Sequence, residues 1–437
     1  MSIWLHTALA TALAAAPPEV ETLERTIQKG DTCETIALEL YGDGSHVDVI
    51  HRYNPWLGAQ LPHHLEPGQT LVLPKTLPPP LPDAEVTVTR RNVEARAPEA
   101  SDWSSARPGL DLWRGWRVNT REQSSAQITF RDQSRVELRE NTLVIIYGGL
   151  GGSRGKARRE TAEATLDRGA LRSRLGAYTG KDDSAVTVTT PSAVAEFAGG
   201  ASLVTVDDTG TSRVANHGEG KAAVRSAGAK GAKGPKVRIA ARMGSRVDKD
   251  APPSKPKPLP PTPAWIERGP ATFVAVGGLG GTIQGEWGAI AGAGSYRVEV
   301  SEDPEGSEVL TSQVVPASIH RFEAQGLPAG DYYASVAAVD GDAFESPPSE
   351  RLLLTVVPVG LVSPGAAPLP RPEPTADGAT PGLRGPLRVL RGTRLDVPLG
   401  LRCRVDDGVP SRVPVLADAG EHTVACLTDD ASPVPGF

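Results

Sequence analysis

At 437 residues with 47 Gly and 40 Pro, the chain exceeds what one hydrophobic core holds and suits several modules on stiff joints. A formal net charge of −6 is mild and supports no nucleic-acid partner. Aromatic residues make up only 5%, and beyond the N-terminus no run approaches 18 apolar residues, so no helical membrane span is expected after processing.

In chain order, "MSIWLHTALATALAAAPPEV" carries an apolar run from Ile3 to Ala16 and an Ala-x-Ala exit near Ala12–Ala16, the pattern of a secretory signal over residues 1–16. No Lys or Arg precedes Arg25, which keeps an N-terminal helix as the other reading. Export would place the protein in the periplasm or cell envelope. Residues 22–75 form the first module: strands "ERTIQ" and "QTLVLP" flank two helices. Asp31 and Glu34 have capping-box spacing, Cys33, Ile36, Ala37, Leu40 and Tyr41 fall on one apolar face, and Gly42 ends the helix. A second helix over Ser45–Tyr53 turns Val49, Ile50 and Tyr53 inward and stops at Asn54-Pro55. The order is βααβ, with Cys33 facing the core.

Proline-rich seams at Pro74–Asp83, 250–264 and 359–384 read as extended spacers and divide the chain. Between the first two lies an all-β module, 84–249, with "SAQITF", "SRVEL", "AVTVTT" and "SLVTVDDTGTSRV" as strands, the last a hairpin through Asp208, Thr209 and Gly210. The run "GGLGGSRGK" fails as a phosphate loop, because Leu150 stands where the first glycine belongs and no Ser or Thr follows Lys156. It is expected as a hairpin tip. Arg154, Lys156, Arg158 and Arg159, then Lys221, Arg225, Lys230, Lys233, Lys236 and Arg238 concentrate positive charge, read either as a solvated lysine loop in "SAGAKGAKGPK" or as a surface for anionic envelope polymers or lipid phosphate. Residues 265–358 give a second β module in which Tyr332, Ala334, Val336 and Ala338 share one strand face. Residues 385–437 form a small β unit where Cys403 and Cys426, on neighbouring strands, are either bridged or two buried thiols. The fold class is therefore multidomain and mainly β: a βααβ unit followed by β-roll or sandwich modules.

The motifs "TIQKGDTCETIALELYGDG", "YNP" and "EPGQTLVLP" resemble the LysM family, a peptidoglycan- and chitin-binding module. The resemblance implies a shallow groove for an N-acetylglucosamine-containing glycan, made by Gly30, Asp31, Thr32 and Cys33 from the first loop and Asn54, Pro55, Trp56 and Leu57 from the second. Backbone amides left unpaired at a helix start can bond acetamido groups, and Trp56 can cover a sugar face. The second loop is about two residues longer than usual for the family and carries "PHHLEPG".

Residues 84–249 resemble the FecR domain through "AQITFRDQSRVELRENTLVII" and "VTVTTPSAVAEFAGGASLVTVDDTGTSRVANHGEGKAAV". They depart from it at Gln133, where the family turn has glycine, and at Ala198 and Gly199, where Arg-Gly is usual. The module over 265–358 is similar to a fibronectin type III sandwich, with Trp287 as its core tryptophan and "LPAGDYY" as a tyrosine corner through Tyr332.

No His-Glu-x-x-His, Gly-x-Ser-x-Gly or Ser-His-Gly-Cys occurs, and His46, His51, His63 and His64 with Cys33 show no ligand spacing. No catalysis, metal or cofactor is expected. The expectation is a non-catalytic peptidoglycan-binding envelope protein whose LysM unit tethers β modules that act as scaffold or partner-binding surface. The alternative is a FecR-like signalling or assembly component that binds another envelope protein, with LysM serving only for localisation.

Overall fold

The computed structural model describes residues 20–44, 46–57, 65–78, 81–147, 162–175, 185–227, 235–276, 280–362 and 391–434, except 419, 421, 430 and 432. The signal expected over 1–16, the tip over Gly148–Lys156, the lysines at 230 and 233, His63, His64 and most of the 359–384 joint lie outside them. The described residues fall into two units, one ending at Leu81 and the other beginning at Pro82.

In the first unit, β1 (Thr22–Thr26) pairs antiparallel with β2 (Thr70–Pro74), and between them run α1 (Cys33–Tyr41) and α2 (Val47–Tyr53). The cap of α1 sits one residue later than expected. Thr32 has extended backbone and exchanges bonds with Thr35: the Thr35 amide donates to Thr32 Oγ1 at 3.1 Å, and the Thr32 amide to Thr35 Oγ1 at 2.9 Å. Asp31 cannot serve, because its carboxylate already accepts from the Gln28 amide at 3.0 Å and lies 3.5 Å from Arg25. Gly42 closes the helix in the left-handed region at φ 78°, which a side chain would oppose. Ile27, Cys33, Ile36, Ala37, Ile50, Leu71 and Leu73 make the core of this unit.

The second unit is built of strands, in keeping with 51% strand and 5% helix among the described residues. Its first part is a 17-stranded sheet over Ala84–Pro258 that folds onto one core containing Val86, Ile128, Val144, Leu166, Phe197 and Val224. The long strand Ala162–Leu175 joins its two layers. Its first half pairs with Leu143–Ile146 and its second with Gly200–Val206 and Arg135–Leu138. Gly169, at φ 92°, marks the change, since a Cβ there would lie 2.6 Å from Thr142 Cα.

The proline-rich segment 250–264 is extended, yet it is no free joint. Lys257–Pro258 pairs with Met243–Gly244, the Ser254 amide donates to the Arg246 carbonyl at 2.8 Å, and Leu259 is buried. Proline is tolerated because this is an edge position.

The strands from Ala271 to Val362 form a sandwich. Ala271–Val276, Leu352–Val362, Gly330–Asp340, Ala293–Ser301 and Val309–Pro316 make one sheet, and Gly281–Glu286 with Arg321–Leu327 the other. Trp287 fills the core between Trp265 and Tyr296, and Tyr332 Oη donates to the Pro328 carbonyl at 2.7 Å, closing a tyrosine corner. Arg394–Asp396 continues the first sheet, and the Cys403–Cys426 disulfide links facing residues of the last small sheet.

Candidate functional site

The two loops singled out in the first unit each contribute a residue to the same apolar cluster. Cys33 belongs to it and Leu57 packs against it. Each loop owes its shape to local chemistry. Gly30 turns the chain at φ 98° with open space where a Cβ would stand, so a ligand can approach the backbone. Beyond it, the α1 start leaves the Cys33 and Glu34 amides with no partner among the described residues, while Thr32 satisfies Thr35 and, through its carbonyl, Ile36. The second loop begins where α2 meets Pro55, and Pro55–Leu57 forms one 3₁₀ turn.

The eight residues have unequal roles. Trp56 is 51% exposed and Pro55 is exposed beside it, which gives an aromatic face open to solvent. Thr32 is exposed, but its hydroxyl is held in the cap. Asp31 is anchored by Gln28 and Arg25, and Arg25 also reaches Glu39 at 2.8 Å. The Cys33 thiol is buried, and that burial raises its pKa, so it is unreactive.

Asn54 has no exposed surface at all. Its Nδ2 donates to the Ile50 carbonyl at 2.8 Å and the Val72 carbonyl at 2.7 Å, and its Oδ1 accepts from the Val72 amide at 2.8 Å. It staples the end of α2 to β2 and has no donor left for a sugar. The groove candidate therefore consists of Gly30 and the first-turn amides of α1 from one loop and the exposed Trp56 from the other, with Cys33 and Leu57 at the apolar core of the unit and Asn54 buried. Tyr41, not among the residues expected at the site, ties α1 to β2 by donating to the Pro74 carbonyl at 3.0 Å, and burial raises its hydroxyl to about 12. Its place on the apolar face of α1 was the only signal in the sequence. Among the described residues no group of potential metal ligands converges.

Two family models match the chain. Residues 26–74 match the LysM domain, and residues 117–222 match the FecR protein. The first match covers the unit just described; the second lies within the 17-stranded sheet, which runs beyond it at both ends. A LysM domain points to binding of peptidoglycan or a related glycan, and a FecR segment to a signalling-related envelope protein. Among solved structures, the chain is similar to an Fn3-like protein from Clostridium thermocellum, with 26% identity over 22% of this chain and 96% of that one, at a TM-score of 0.17. It is also similar to the FN1–FN3 domains of chicken CNTN1, with 11% identity over 64% of this chain and 99% of that one, at a TM-score of 0.19. Scores that low carry no argument about the sandwich, which rests on its own geometry. No curated protein matches.

Proposed function

We propose that the protein is a non-catalytic envelope protein that holds peptidoglycan through its LysM unit and presents the β modules as a scaffold or partner-binding surface. The observation that carries this reading is the open strip formed by Gly30 and the unpaired α1 amides within a matched LysM domain that also exposes Trp56. Acetamido groups accept from such amides, and the C–H face of a sugar packs on an indole. The matched families, LysM and FecR, support a role in binding rather than chemistry. A second reading keeps the LysM unit for localisation and gives the main role to protein binding by the FecR-type part; the match over 117–222 favours it.

Co-sedimentation of the full chain with purified sacculi tests the proposal. Trp56→Ala is expected to weaken binding about tenfold, equivalent to about 1.4 kcal/mol, with no change in the melting of either unit. Unchanged binding in that variant would remove the groove from the explanation. Release of soluble fragments from labelled sacculi would overturn the non-catalytic reading.

A further inference from the structure

One face of the sandwich is buried with no sandwich core above it. Glu299, Ser335 and Ala337 alternate with the core residues Val298, Val300, Ala334 and Val336, yet all three are buried. The FecR-type module meets this face at Glu299. From that module Arg139 donates to both carboxylate oxygens of Glu345, at 2.7 and 2.6 Å, and its Nε lies 2.8 Å from Glu299. Arg172 donates to the two oxygens of Glu299 at 3.0 and 3.4 Å and reaches Glu137 at 3.5 Å, and Arg174 stands 3.1 Å from Glu137. Arg297 approaches Glu345 at 3.4 Å from within the sandwich. Beside the charges, Phe344 packs with Leu203, Ala215 and Leu259, so the proline-rich strap is part of the contact. Arg213 donates to the Asp342 carbonyl at 2.7 Å, and Lys257 of the strap to Asp340 at 2.8 Å.

Such a contact is sensitive to charge. Apart in water, the arginines and glutamates are hydrated; together, each is tolerable only while its partner keeps the opposite charge, because an uncompensated buried ion is strongly unfavourable. His217 sits at this point. Its Nε2 is 3.0 Å from the Glu345 carbonyl, which only accepts, so Nε2 carries the proton, and the buried Nδ1 has no partner. The charged groups around it are Arg139, Arg172 and Glu345. A second proton would bury an N–H without an acceptor next to two guanidinium groups.

We propose that the FecR-type module and the sandwich are clamped into one cooperative body by this arginine–glutamate cluster, and that protonation of His217 releases the clamp. Burial, with Arg172 and Arg139 adding to it, holds His217 down to about 4 against the pull of Glu345. Glu345 itself is held at about 2: burial opposes its charge, and Arg139, Arg297 and Arg172 outweigh that opposition. Both groups titrate lower in the closed body than in the open one, so each contributes above its ordinary pKa and loses that contribution as pH falls. For His217 the window runs from 6.5 down to about 4, ahead of Glu345 at 4.5 to about 2. At pH 5 the His217 shift alone moves the closed–open equilibrium roughly thirtyfold toward the open form relative to neutral pH.

Scanning calorimetry of the full chain, with hydrogen exchange to assign each transition, tests the clamp. At pH 7.5 the two modules are expected to melt in one transition that separates into two near pH 5. His217→Gln, whose amide can still donate to the Glu345 carbonyl but takes up no proton, is expected to keep the single transition at pH 5. Two transitions already at pH 7.5, or identical pH profiles for the variant and the native chain, would overturn the proposal. Should the variant not fold, the ring of His217 in the native chain decides by NMR. A midpoint more than one unit below 6.5 supports the clamp, and an ordinary midpoint while the modules still melt together sinks it.

Discussion

Replacing Asn54 by alanine separates support of the groove from contact with the glycan. Asn54 makes three hydrogen bonds, two to Val72 and one to Ile50, and has no exposed surface. Its loss leaves the Val72 amide and carbonyl without partners on the side of β2 that faces α2. Each orphaned group costs about 1–3 kcal/mol, and since Val72 is only half-buried the lower part of that range applies, for a total of about 3 kcal/mol. A unit of this size is stable by roughly 3–7 kcal/mol, so Asn54→Ala should leave it marginal while the unit from Pro82 onward keeps its melting behaviour. Denaturant unfolding with exchange protection of the Leu71 and Leu73 amides measures the effect, and sacculus binding should fall in step with the folded fraction. A stability within about 0.5 kcal/mol of the native unit, or lost binding in a fully folded variant, would refute the structural role and return Asn54 to the ligand surface.

Two further outcomes test the sandwich and the terminal sheet. Tyr332→Phe removes the bond to the Pro328 carbonyl and should cost about 1 kcal/mol, seen as an earlier melt of the clamped body with no effect on the LysM unit. Replacing both Cys403 and Cys426 by serine frees a loop spanning 23 positions and, in the chain-entropy model, should cost about 3 kcal/mol. Exchange should then rise across Leu401–Val405 and Val424–Thr428 before it rises in the sandwich core.

Periodicity made much of this architecture legible. The apolar face of α1, the stop at Gly42, the hairpin through Thr209 and Gly210, and the shared face of Tyr332, Ala334, Val336 and Ala338 follow from local spacing, which needs no knowledge of distant partners. The cap of α1 lies one residue beyond the sequence expectation because Asp31 and Thr32 are both good cap residues, and the Gln28 amide together with Arg25 draws the Asp31 carboxylate away from the helix start. Gln133 stands where a glycine is usual in the FecR turn, and the fold keeps that turn by holding Gln133 at φ 65°. At that φ a glutamine side chain is strained where glycine would not be. Asn54 entered the site by its place in a motif, and burial gives it a different task.

The clamp was not legible, for a physical reason. In "SYRVEVS" the alternation of Val298 and Val300 with Arg297 and Glu299 fits a strand with one wet face equally well when that polar face is closed against a second polar face. Charge complementarity across two modules joins Arg139 and Arg172 to Glu299 and Glu345, more than 120 positions away, and no local window contains both sides. The same holds for the proline-rich strap, whose composition says extended but whose hold comes from Leu259 and Lys257 meeting residues of both modules. In the clamped arrangement the sandwich is held on the FecR-type module. A partner approaching this protein would meet their combined surface rather than either module alone, and the face carrying Glu299 and Ala337 would be withdrawn from contact as long as the cluster stays charge-balanced.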